Sequence, residues 1–161
     1  MERTHYSIAE RRSLNLAHEM LDAIFHKGDV DRMSELIASE TVPLHHPVPG
    51  LGHDRDGFAK MVTDFHAGFS GFDVIVEHML VRNGVAVIRW KLEGRHGGMW
   101  LNVPASGNDV STVGMIYCEC DTEQDPVRVL EHWLHFDSLG LLHQIGGLRL
   151  ATPLSLDPQR E

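Results

Sequence analysis

Val127-Arg128-Val129-Leu130-Glu131-His132-Trp133-Leu134-His135-Phe136-Asp137-Ser138-Leu139-Gly140-Leu141-Leu142 is the stretch that decides the fold. It reads as a β-strand of branched and aromatic residues running into a short turn. Alternate residues of a strand share a face. Glu131, Trp133, His135 and Asp137 therefore point one way, and Leu130, His132, Leu134 and Phe136 the other. One face is mostly apolar; the other carries acids, an imidazole and an indole. That division suits a strand whose polar face lines a pocket while its apolar face meets another body.

Upstream, the pattern changes from helical to alternating. Ile8, Leu14, Leu16-Ala17, Met20-Leu21 and Ile24-Phe25 recur at helical spacing from about Ser7 to His26, and Gly28 stops the segment. Asp29 can cap a second short helix carrying Met33, Leu36 and Ile37. Thr41 to His46 is extended and is stopped by Pro47 and Pro49. A third helix begins near Asp54 or Asp56 and carries Phe58, Met61-Val62, Phe65 and Phe69. After Gly71 two strands form a hairpin about Asn83-Gly84, and a second pair, Asp109 to Asp121 and Val127 to Phe136, follows. Helices first and long meandering strands afterwards predict an α+β domain.

Composition narrows the function. The 161 residues suit a single domain, and 42% apolar content suits a globular chain. A formal net charge of -9 opposes binding to a phosphate backbone, so no nucleic-acid partner is expected. No apolar run reaches the length of a membrane span and the start lacks a signal-peptide core, so a cytoplasmic protein is expected. The two cysteines, Cys118 and Cys120, share a strand face and read as reduced and buried. The tail, 152–161, has two prolines and reads as mobile.

Four segments, taken in order, carry a family likeness. They are His46-Pro47 before a glycine-containing loop and a helix; Val85 to Trp90 leading to Gly94-Arg95-His96-Gly97; the loop Val103-Pro104-Ala105-Ser106-Gly107; and Glu131-His132-Trp133 with Asp137 and Leu139-Gly140-Leu141-Leu142. Together they resemble the SnoaL-like polyketide cyclases of the NTF2-like superfamily over roughly residues 10 to 147. The resemblance implies one domain over residues 1–151, a cone in which a curved, mostly antiparallel sheet wraps three N-terminal helices. It also implies a cofactor-free intramolecular aldol ring closure, with the aspartate of the last motif as acid and base.

Two residues are candidates for catalysis. Ala86, Ile88, Trp90, Leu92 and His96 share the apolar, core-facing side of their strand, so His96 sits at the rim of the interior. It reads either as a hydrogen-bond donor or proton shuttle to a substrate, or as a histidine tied to a neighbouring loop. Asp137 reads as a base against apolar walls or as the cap of a following turn; the resemblance favours the base. Trp90, Trp133, Met99 and Trp100 are expected to shape the substrate cavity, with His46 lining it or capping its loop. His135 either orients Asp137 or is solvated at the mouth. Glu131 reads as a structural carboxylate with a basic partner. His132 is expected at an interface.

No three potential ligands are anchored at metal spacing, and Gly-rich phosphate loops are absent, so no metal and no cofactor are expected. The combined reading is a cyclase or lyase acting on a hydrophobic, carbonyl-bearing substrate. Dehydration, isomerisation or epoxide opening in the same pocket, and a non-catalytic binding dimer, are the alternatives. The face of Leu130, His132, Leu134 and Phe136 predicts a homodimer through the sheets.

Overall fold

A computed structural model describes residues 6–149. The expected tail, 152–161, lies outside the described residues. Helix α1 (Ile8–Leu21) opens with a reciprocal cap: the Ser7 hydroxyl accepts from the Glu10 amide at 3.2 Å, and the Ser7 amide donates to the Glu10 carboxylate at 2.8 Å. It widens into a π-helical stretch, Asp22–Lys27, and stops at Gly28, whose φ of 60° suits a residue without a side chain. Helix α2 (Val30–Leu36) is capped by Asp29, and α3 (Arg55–Gly68) by Asp54.

Five strands follow the order β1-β5-β4-β3-β2, with β1 (Leu44–His45) parallel to β5 (Arg128–Phe136) and the other pairs antiparallel. The remaining strands are β2 (Phe69–Arg82), β3 (Val85–His96) and β4 (Asp109–Asp121). Asn83 and Gly84, both at positive φ (48° and 79°), turn β2 into β3 as expected. Two bulges in β2 and one between β4 and β5 sharpen the twist, so the sheet curves without closing. Its concave side takes the apolar faces of the three N-terminal helices. Helix α4 (Ser138–Gln144) follows β5 and buries Leu141. The α+β architecture inferred from the sequence is the one observed. Cys118 and Cys120 are free and buried on the inner side of β4.

The facing of β5 reverses the expectation. His132 and Leu134 are fully buried and Phe136 is 8% exposed, whereas His135 and Asp137 are exposed and Trp133 is half-buried. The inner face is thus Val129, His132, Leu134 and Phe136. Leu130 is the exception to the expected set, because the bulge opposite Glu119 and Cys120 inserts an extra residue and turns Leu130 to solvent. The physical reason is simple: the more apolar face of β5 packs under the protein's own helices. The outward set cannot then line the interior.

Candidate active site in the cone interior

Strand β3 runs through the interior without a bulge towards β4, so its alternation survives to the end. Ala86, Ile88, Trp90, Leu92 and His96 all have no solvent exposure. Around Trp90 the sheet leaves room by having Gly114 opposite; a Cβ there would lie 2.3 Å from the indole. Phe25 of the π-helical stretch packs at 4.6 Å from the Trp90 ring. The Trp90 Nε1–H has no hydrogen-bond partner.

His96 is held from the loop that follows β3. The Ser106 main-chain N–H donates to His96 Nδ1 at 3.1 Å, with the Ser106 hydroxyl 3.0 Å from the same nitrogen. An amide only donates, so Nδ1 is the acceptor and the neutral ring carries its proton on Nε2. That Nε2–H is buried and without a partner. Burial holds the His96 pKa below the ordinary histidine value, which keeps the ring neutral at physiological pH. The ring faces Phe69 at 5.2 Å, which in turn stacks on Phe65 at 4.7 Å. His96 and Trp90 thus each carry a buried ring N–H without a partner on the inner side of β3.

Trp100 closes that region. Gly97 and Gly98 both donate to the Gly68 carbonyl at the end of α3, at 3.0 and 2.9 Å. A two-residue turn, with Leu101 and Asn102 at positive φ, then presses Trp100 against Gly68, Phe65 and Phe69. Leucine at φ 47° is strained, so the packing of the indole holds the turn in place. Met99 does not share the interior with Trp100: it is 64% exposed and borders an outer hollow with Lys60 and Asp64. The expectation that Met99 shapes the cavity is corrected accordingly; on either side of one tight turn, Trp100 goes in and Met99 goes out.

The remaining candidates lie elsewhere. His46 is buried, with Nε2 3.0 Å from the Gly52 carbonyl and Nδ1 accepting from the Val48 amide at 3.3 Å; it pins the loop before α3. Burial is the main cause that lowers its pKa. Trp133 and His135 lie on the outer face, corrected from the pocket wall. There the Trp133 ring stacks between His45, at 3.7 Å, and His135, at 5.7 Å. Its Nε1–H donates to Glu131 at 2.6 Å, a neutral donor the sequence reading did not foresee, while His45, 3.7 Å from the carboxylate, is the basic neighbour expected for it. Asp137 is exposed and its Oδ1 accepts from the Gly140 amide at 2.8 Å, capping α4. It borders an outer hollow of about 310 Å³ with Arg89, Val113, Met115 and His135. Asp137 and His96 are therefore not brought together. Ser106, which sets the His96 tautomer, and His132, which enters the interior, were missed in the sequence. No spacing signal points to Ser106, but the apolar neighbours of His132 at Leu134 and Phe136 could have placed it inside.

The interior, the four helices and the curved sheet have counterparts among known proteins. A family model described as SnoaL-like polyketide cyclase matches residues 15–145. The chain belongs to the SnoaL-like polyketide cyclase family. Among solved structures it is similar to TsrD from Streptomyces laurentii, at 23% identity and a TM-score of 0.66, over 89% of this chain and 100% of that one. AclR from Streptomyces galilaeus aligns at 17% identity and a TM-score of 0.72, over 92% and 90% of the two chains. IdmH from Streptomyces antibioticus gives 21% identity and a TM-score of 0.65, over 83% and 98%. At these identities the likeness concerns the NTF2-like fold. No curated protein matches the chain significantly. Membership of the SnoaL-like family supports a cyclase- or isomerase-type role. Among the described residues no helix is long and apolar enough to cross a membrane, and no cluster of three potential metal ligands occurs.

Proposed function

We propose that this SnoaL-like chain closes a ring in a hydrophobic, carbonyl-bearing, polyketide-like substrate by intramolecular aldol chemistry. The observation that carries the reading is the buried Nε2–H of His96, its tautomer set by Ser106 and its donor left for a ligand. A substrate carbonyl oxygen placed there gains negative character as an enolate forms, and a fixed donor in an apolar site strengthens as that charge develops. The Trp90 Nε1–H can serve a second oxygen. Proton removal falls to Asp137, at the position where the resembled cyclases carry their acid/base aspartate; the enolate carbon then bonds to the second carbonyl carbon, whose oxygen becomes an alkoxide, and Asp137 returns the proton to it. For that, its carboxylate must release the Gly140 amide and turn past Phe136.

The cap contact favours a second reading: a non-catalytic member that binds the same class of molecule, with Asp137 serving α4 alone. Asp137→Asn separates the two, because asparagine caps a helix as well as aspartate does. With polyketide substrates that carry two activating carbonyls, the aldol reading expects turnover to fall roughly 10²–10⁴-fold with the melting temperature unchanged. Unchanged turnover would leave Asp137 as a cap. Binding without any turnover in the unsubstituted protein would select the second reading.

A further inference from the structure

The aldol reading puts a substrate oxygen at His96 Nε2, yet that atom is sealed from solvent and has no partner. A ligand therefore reaches this donor only after a side chain has moved. Three rings of the surrounding aromatic group are poorly placed to give way. Phe65 lies within α3, while Phe69 and Phe136 lie in paired strands, Phe69 directly opposite His96. Their backbones are fixed by helix and ladder bonds, and each ring is buried in a packed core that leaves a side chain little room to turn.

Trp100 is placed differently. Its turn is anchored at both ends: a Cβ on Gly98 would lie 2.0 Å from the Ala67 carbonyl oxygen, and one on Gly147 would lie 2.6 Å from Val103 Cγ2. Between these anchors only two main-chain bonds close the turn, Trp100 N–H to the Val103 carbonyl at 3.0 Å and Val103 N–H to the Trp100 carbonyl at 2.8 Å. Leu101 at φ 47° carries strain that opening the turn releases. The indole also separates two spaces. Outside it lies a hollow of about 370 Å³, bordered by Lys60, Asp64, Met99, Leu101 and Asn102. Inside, it meets Phe65 at 6.3 Å and Phe69 at 5.1 Å, and the Phe69 ring is 5.2 Å from that of His96. Turning the indole outward leaves a passage from the hollow to the rings beside His96.

We propose that Trp100 is a gate: its indole plugs the way from the hollow beside Lys60 and Asp64 to the His96 donor, and the strained turn lets it swing aside without unfolding the chain. The proposal rests on the reading of His96 as a ligand donor and goes beyond it by naming the way in. Trp100 touches no reacting atom. It decides when the interior opens, and on which side.

The test follows the ring N–H protons of His96 and His132 in the ¹⁵N-labelled full chain, by their exchange with water at rising urea concentration. His132 is the control: it too is buried without a partner, but beside Phe58 near the start of α3, whereas Trp100 packs on Gly68 at its end. A gate exposes His96 while the rest of the chain stays folded. Exchange at His96 is therefore expected to be the faster and nearly independent of urea, with His132 slow and steeply dependent. Equal rates and slopes at the two rings would overturn the proposal. Trp100→Ala is expected to speed exchange at His96 roughly tenfold or more and to leave His132 unchanged. Equal acceleration at both rings, or none at His96, would mean that the indole only packs, and would overturn it. Should Trp100→Ala fail to fold, the urea dependence in the unsubstituted protein decides. None of these measurements involves turnover, so the gate can fail while the Asp137→Asn comparison upholds the aldol reading, and the reverse.

Discussion

Acid acts on this molecule through single imidazoles. Burial, with added repulsion from His45, holds the His132 pKa down to about 3, against an ordinary value of 6.5. Its nearest surroundings are Leu44 from β1, Cys118 from β4 and Phe58 from α3, and Glu131 next to it points to the outer face. The folded chain resists protonation that the unfolded chain accepts. The stabilisation from neutral His132 is therefore complete above pH 6.5 and is lost as the pH falls towards 3. At about 1.36 kcal/mol for each pH unit crossed, this amounts to roughly 4–5 kcal/mol over the window. Burial is also the main cause that lowers the pKa of His46 and His96. Urea unfolding at pH 7 and pH 4.5 should differ by at least about 2–3 kcal/mol, and His132→Leu should flatten much of that dependence. An unchanged pH dependence in that variant would show that His132 titrates normally.

At the scale of elements, the sequence was legible where each rule had one answer. The cap at Asp29, the helix starts near Ser7 and Asp54, the stop at Gly28 and the Asn83-Gly84 turn rest on local chemistry, and each stands where it was expected. The inward side of β3 was equally clear, because Ala86 to Leu92 alternate cleanly against Arg89 and Lys91, and that alternation carried His96 inside. Strand β5 was harder, since both faces carry aromatic and ionisable residues. There the likeness of the Asp137 motif outweighed the plainer rule that the more apolar face turns to the helices. The contact between β4 and β3 offers its own test. A methyl group at Gly114 would meet the Trp90 indole and the His135 carbonyl, both at 2.3 Å. Gly114→Ala should cost about 2–3 kcal/mol in chemical denaturation and alter Trp90 fluorescence. A silent substitution would mean that the two strands separate more easily than this packing implies.

For the whole molecule, the outer face of the sheet is the region still to be accounted for. Val113 and Met115 are 54% and 51% exposed, and half-buried Val87, Tyr117 and Trp133 lie beside them. The expected homodimer therefore becomes a proposal with different residues from those the sequence suggested: a second copy covers the Val113 and Met115 face, and Leu134 stays inside. Light scattering at micromolar concentration should give a dimer, and Met115→Glu a folded monomer. A monodisperse monomer for the unsubstituted protein would remove the proposal. The pairing of β1 with β5 bears on how any such molecule comes into being. Leu44 meets His132 across 88 positions (132 − 44), whereas β2 and β3 meet through a two-residue turn. Bringing together segments so far apart costs the most chain entropy and gains little before the intervening strands exist. The sheet should therefore grow outward from the Asn83-Gly84 hairpin, with β1 and β5 joining late. On a ribosome, the apolar inner faces of the helices have no His132 or Leu134 to pack against until the last strand has emerged.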